Sequence, residues 1–164
     1  MSWRDKLKWG DESLKTPEHD ALMLWLNENC VTVAQSLFPK LVANRFGSIE
    51  WEKPLCSMNG SILCFIDLYM EGVEQVRLDY FPIHSLLFEV KPKIESIGEV
   101  LRQLKSYEHY SSIGDSSSFH YKKSHIILVS PDNKAKDIVL QNGFMFLNPD
   151  EFDIDEPTRR KEDK

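Results

Sequence analysis

Cysteine is scarce in this chain: Cys30, Cys56 and Cys64 are its only thiols, and no Cys-x-x-Cys spacing occurs. An odd number without paired spacing excludes a disulfide framework and a thiolate zinc site, and points to reduced, buried thiols in an intracellular protein. Long apolar runs are missing as well. None approaches the roughly 18 residues of a membrane span, and no signal-peptide pattern opens the chain, so a cytoplasmic, non-secreted protein is expected. The seven glycines form neither a phosphate-binding loop nor a dinucleotide fingerprint. No internal repeat is present, which removes the solenoid architectures. Positive charge is in deficit, with 20 Lys and Arg against 26 Asp and Glu and a formal net charge of -6. Spread evenly, that charge would repel a phosphate backbone.

The charge is not spread evenly. Residues 150–164 carry seven acids against four bases, half of the net negative charge, and read as an acidic flexible tail. Residues 91–136 carry eight bases against five acids, the bases being Lys91, Lys93, Arg102, Lys105, Lys122, Lys123, Lys134 and Lys136. With 41% hydrophobic residues in 164, the chain supports one ordinary domain, residues 1–149, that includes an N-terminal extension over 1–15.

The most informative segment is Ser85-Leu86-Leu87-Phe88-Glu89-Val90-Lys91-Pro92. Its apolar run reads as a strand that Pro92 ends, leaving Glu89 and Lys91 on one face at an open edge while Phe88 and Val90 face the core. Upstream, residues 62–70 form an almost unbroken apolar segment around one acid, Asp67. A lone buried carboxylate needs a partner or a metal. An antiparallel hairpin of the two segments would set Asp67 across from Glu89. Asp79 is the rival acid, in a poorer strand context. Downstream, Ser96-Ile97-Gly98-Glu99 has capping-box spacing, and Ile97, Val100, Leu101 and Leu104 form a helical stripe that carries Gln103 and Tyr107 alongside. A surface ion pair is the bland reading of Glu89 and Lys91.

Asp67, the Glu89-Val90-Lys91 triplet with Pro92, and the Gln103-xxx-Tyr107 helix together resemble the PD-(D/E)XK nuclease superfamily, with the Gln-xxx-Tyr helix of its RecB-type members. The resemblance spans residues 16–149. It implies a restriction-endonuclease-like core, an α/β (α+β) mixed sheet flanked by helices in the order αβββαβαβ. It also implies an Mg²⁺-dependent endonuclease, with Mn²⁺ as a substitute, that hydrolyses phosphodiester bonds, most plausibly of DNA. Asp67, Glu89 and the Val90 carbonyl would bind metal, Lys91 would activate water, and Gln103 would steady Lys91 or the substrate. Glu18, on the first helix, matches an acid many members carry, although a first-turn glutamate also serves the helix dipole. Alternatives of a different class are a non-cleaving binding or inhibitory module of a phage, transposon or defence system, and a subunit that cuts only with a targeting partner. A homodimer is a further possibility.

The rest of the chain fits the same order. Thr16-Pro17-Glu18 opens a helix, residues 46–57 read as a first strand, and Asn59-Gly60 is a hairpin turn. Residues 124–129 read as a buried strand, a helix follows Pro131-Asp132-Asn133, and residues 144–147 form a last strand. Lys93, Arg102, Lys105, Tyr107, Lys122 and Lys123 are the candidate nucleic-acid contacts, with core packing the competing role for Tyr107 and Tyr110. His84 and His125 suit hydrogen-bonded structural positions better than catalytic ones. His19, beside Glu18, could approach the metal. Trp3 and Trp9, interleaved with Arg4, Lys6 and Lys8, could touch a partner or pack on the domain.

Overall fold

The computed structural model describes residues 17–47, 49–57, 59–76, 81–113 and 122–152. Expectations on Thr16, Trp3 to Trp9, Asp79 and residues 153–164 lie outside them. Helix α1 (Pro17–Leu37) begins with proline at its first position and carries Glu18 and Asp20 in its first turn, where acids complement the helix dipole. Strands β1 (Leu41–Phe46), β2 (Glu50–Cys56), β3 (Ile62–Glu74) and β4 (Ile83–Val90) follow. The β2–β3 turn uses the Asn59-Gly60 pair, with Gly60 at φ 84° and its N–H donating to the Ser57 carbonyl at 2.9 Å. Helix α2 (Ile97–Ile113) crosses to β5 (Lys122–Val129), and a 3₁₀ turn (Asn133–Ala135) with helix α3 (Lys136–Gln141) crosses to β6 (Met145–Leu147).

The result is one mixed sheet flanked by three helices, in the strand order β1-β3-β4-β5-β6, with β2 on β3. Strands β4, β5 and β6 are parallel, as helical crossovers require, whereas β1 to β4 pair antiparallel. This is the expected class, with one more strand than expected: residues 46–57 supply β2, and β1 precedes it. One core packs α1 on Leu68, Met70, Leu86, Phe88, Val90, Ile127 and Val129. The other packs α2 and α3 on Ile66, Leu87, Ile126 and Leu128. Among the described residues no helix is long and apolar enough to cross a membrane.

Two expectations need correction here. Strand β4 is not an open edge: it lies between β3 and β5, and its seven residues from His84 to Val90 are all buried. The alternation that left one face of the strand to solvent fails because α1 and α2 cover both faces, as parallel sheets demand. The tail does not leave the body at residue 150. Glu151 accepts hydrogen bonds from Asn133 at 2.9 Å and Lys136 at 3.1 Å, and Phe152 packs edge-on against Trp25 with ring centroids 6.0 Å apart.

Where β1 meets β3, Gly72 lets the backbones approach. A Cβ built there would stand 3.0 Å from Leu41 Cδ1 and 3.0 Å from Phe46 Cε1. Gly72→Ala is therefore expected to destabilise the fold by about 1–3 kcal/mol through overpacking. Urea unfolding checks this, and an unchanged midpoint would mean that β1 yields freely.

Candidate active site

The site forms where β3 and β4 part. Their ladder runs from Val73↔Ile83 to Leu68↔Phe88, and one step further would set Asp67 opposite Glu89. At that step β3 leaves β4 and continues with β2 alone, so the Val90 N–H loses its strand partner. The Asp67 side chain fills the gap: its Oδ2 accepts the Val90 N–H at 2.7 Å. Across the strand, the Lys91 N–H donates to the Val129 carbonyl at 2.9 Å. The Ile94 N–H donates to Asp132 at 3.0 Å, which ties down the segment after Pro92.

Glu89 is only 1% exposed. Its Oε1 is 2.6 Å from Lys91 Nζ, and its Oε2 accepts from the Tyr107 hydroxyl at 2.5 Å. Tyr107, fully buried in α2, also lies 2.8 Å from the Phe65 carbonyl and accepts from Gln103 Nε2 at 2.9 Å. The Tyr107 hydroxyl has one proton and two acceptors, so it can serve Glu89 when Glu89 is ionised and Phe65 when Glu89 is not. Burial raises the Glu89 pKa, the nearby Asp67 charge raises it further, and Lys91 and Tyr107 oppose the rise. Burial and the Glu89 charge push Tyr107 far above its ordinary range, so it is a donor and not a base.

Helix α1 adds a group that spacing alone did not place. His19 Nε2 lies 3.5 Å from Asp67 Oδ2, and this contact raises its pKa against the opposing effect of burial. The sequence signal was its position in the first turn beside Glu18. Glu18 and His19, with Pro17, Val90, Lys91 and Pro92, line a cleft of about 550 Å³. A second cleft of about 240 Å³ is lined by Lys91, Lys93, Glu95, Ser96, Glu99, Val100 and Gln103. Lys91 thus stands on the wall between two clefts.

Asp67, Glu89, Val90, Lys91, Gln103 and Tyr107 meet in one place, with Glu18 on the rim. The expected nucleic-acid contacts do not assemble there. Tyr107 has no exposed ring face for a base. Arg102 stands 4.0 Å from Glu99, and Lys105 is exposed on α2. Lys122 is 2.9 Å from Glu71. Lys122 and Lys123 open β5 some seven residues before Val129, which pairs with Val90, so they lie about 20 Å from the site. Lys134 and Lys136 pair with Asp132 and Glu151. The basic stretch is partly taken up in ion pairs, Lys122 and Lys136 with acids from elsewhere in the chain and Arg102 and Lys134 with acids of the stretch itself, while Lys93 lines a site cleft.

His84 and His125 lie on the α1 side of the sheet, toward the N-terminal ends of β4 and β5. His84 Nε2 bonds Glu74 at 2.8 Å and its Nδ1 faces His125 Nε2 at 2.8 Å. Phe38 packs on His125 with ring centroids 4.3 Å apart. Both histidines therefore have hydrogen-bonded structural places.

The donor set limits which ion would fit. Among the described residues no group of three or more His, Cys, Asp and Glu side chains is placed to hold a metal, so a closed protein cage of the zinc type does not fit. Asp67 and Glu89 are the two carboxylates here that could take part in holding a hydrated Mg²⁺, which binds through one or two carboxylates and keeps several waters.

Asp67 serves the fold through its hydrogen bond to the Val90 N–H, and mutation isolates that contribution. Asp67→Asn keeps an oxygen for the Val90 N–H, whereas Asp67→Ala orphans a buried donor. Asp67→Ala is expected to lose about 1–3 kcal/mol and Asp67→Asn less than about 1 kcal/mol, read by chemical denaturation. Equal losses would show that the hydrogen bond is not what the carboxylate contributes.

No protein-family model matches the chain, and no curated protein matches it. A solved structure, described as an EndoMS-dsDNA2 complex, matches over 74% of this chain and 43% of its own, at 20% identity and a TM-score of 0.38. The chain thus spans less than half the length of that neighbour, and the likeness is too loose to carry a role across.

Proposed function

We propose that this chain is a metal-dependent nuclease of the PD-(D/E)XK kind, acting on phosphodiester bonds and most readily on DNA. The observation that carries this reading is the convergence of Asp67, Glu89 and Lys91 at the divergence of β3 from β4, with Glu89 tied to Lys91 at 2.6 Å. Asp67 and Glu89 would hold Mg²⁺ or Mn²⁺, with the Val90 carbonyl as a further oxygen. When bound, the ion supplies charge neutralisation of the scissile phosphate and a lower pKa for water. Lys91, exposed to both clefts, orients the attacking water and offsets negative charge growing on the phosphate. Tyr107 and Gln103 hold Glu89 in place from α2, and burial keeps that carboxylate from swinging away.

The test is a cleavage panel of single-stranded, duplex, branched and supercoiled DNA and of RNA, with Mg²⁺ or Mn²⁺, against Lys91→Ala. Metal-dependent cleavage that the variant loses is the expected result; cleavage equal in both would make the activity a contaminant. The pairing of Arg102, Lys122, Lys134 and Lys136 with acids favours a second reading, in which a partner supplies the basic surface for a polyanion. In that case the free chain is inert on plain duplex yet still titrates Mn²⁺ calorimetrically, with heat that Glu89→Gln removes.

A further inference from the structure

Taking the site as that of a metal-dependent nuclease, we propose that the Lys91 ammonium stands in the place of the divalent cation and that metal binding displaces it. Metal entry is then the step that frees the lysine for a phosphate. Both oxygens of Glu89 are already engaged: Oε1 lies 2.6 Å from Lys91 Nζ, and Oε2 accepts from the Tyr107 hydroxyl at 2.5 Å. On the other carboxylate, Asp67 Oδ2 accepts the Val90 N–H at 2.7 Å.

Of these partners only Lys91 is free to leave. Tyr107 is fully buried in α2 and is held there by Gln103 and by the Phe65 carbonyl. The Val90 N–H belongs to the backbone of β4, an interior strand of the sheet. The Lys91 side chain is 33% exposed, rides on a flexible four-carbon stem, and lines the clefts on both sides of it. Its main chain stays pinned by the Lys91 N–H to the Val129 carbonyl at 2.9 Å, so the movement is confined to the side chain.

Charge sets the order of events. Glu89 is 1% exposed, and a buried carboxylate that loses its cation without a replacement is strongly destabilised, so Lys91 does not leave by itself. A divalent ion on Asp67 and Glu89 cancels their two negative charges. An ammonium kept on Glu89 would then be a surplus positive charge a few ångströms from the ion, in a site where burial weakens screening. Lys91 therefore swings into a cleft as the ion arrives, and a phosphate entering that cleft supplies its next counter-charge. Metal and phosphate are thereby coupled, each favouring the other, because both need Lys91 away from Glu89.

The test reads metal binding and lysine exposure, not cleavage, and uses the full chain at pH 8. Mn²⁺ is titrated calorimetrically into wild type and into Lys91→Met, which keeps the stem without the charge. The variant should bind at least about tenfold more tightly, since one charge close to a carboxylate changes its affinity for a proton by that factor or more. In parallel, wild type is reductively methylated with and without Mn²⁺, and the lysines are read by peptide mass spectrometry. Mn²⁺ should speed modification of Lys91 and leave Lys105, exposed on α2, unchanged. The labelling needs only wild type, so it decides even where the variant fails to fold. Binding by Lys91→Met that is equal or weaker overturns the proposal and leaves the nuclease reading standing, as does Mn²⁺ binding to wild type with no change at Lys91. Absence of Mn²⁺ binding in both proteins overturns the nuclease reading, and the proposal falls with it.

Discussion

Glu89→Gln is expected to abolish metal-dependent cleavage while leaving the protein at least as stable as wild type at neutral pH. The reason lies in how Glu89 is held. A glutamine in its place can accept from Lys91 through its carbonyl and donate to the Tyr107 oxygen through its amide. The Tyr107 proton then turns to the Phe65 carbonyl, 2.8 Å away. No buried polar atom is orphaned, and the like-charge contact with Asp67 that raises the Glu89 pKa is removed. Perturbed carboxylates concentrate at functional sites, which makes Glu89 the residue to test first. Lys91→Ala should lose at least about 10²-fold in rate, the usual effect of deleting one preorganised electrostatic group. It should also lose some stability, because Glu89 is left without its cation and must take up a proton. Steady-state rates paired with thermal melts decide the matter. Should Glu89→Gln unfold the chain and Lys91→Ala keep full activity, the pair is a structural ion bridge and the catalytic reading fails.

The fold should lose stability between pH 6.5 and 4 through the paired histidines. His84 Nε2 bonds Glu74 and its Nδ1 shares one proton with His125 Nε2, each at 2.8 Å. Protonating both would set two N–H groups against each other at 2.8 Å. Burial, the neighbouring His84 and Lys123 push His125 down to about 4. In this window the unfolded chain binds a proton that the folded chain refuses, so stability is fully present above 6.5 and drains as pH falls toward 4. The full shift would be worth about 3 kcal/mol, and partial exposure reduces it to about 1–2 kcal/mol. Melts at pH 7.5 and 4.5 measure this, with carboxylates elsewhere contributing equally to wild type and variant. His125→Gln should show a smaller acid loss than wild type; parallel curves would assign the whole effect to other groups.

Several parts of the fold were legible because they rest on local chemistry. Proline and acids at the start of α1, the Ser96 hydroxyl accepting from the Glu99 N–H at 3.3 Å, and the Asn59-Gly60 turn each carry their signal within a few residues. That Asp67 comes near Glu89 was legible from two neighbouring apolar strands, but its pairing was not: the β3–β4 ladder ends at Leu68↔Phe88, and Asp67 takes the Val90 N–H instead. The burial of Glu89 was not legible, because whether a strand's second face meets solvent or a helix depends on residues 97–113 folding back over it. The neutralised basic stretch escaped for the same cause: Lys122 meets Glu71, and Lys136 meets Glu151, only after the chain has folded.

By itself the sequence determined the class of fold and most of the order of its elements, since these follow from periodicity, caps and turns acting over a few residues. Only the tertiary structure decided that Glu89 is buried against Tyr107 and that His19 reaches Asp67. Those outcomes depend on long-range packing, in which one element's environment is supplied by residues far away in the chain.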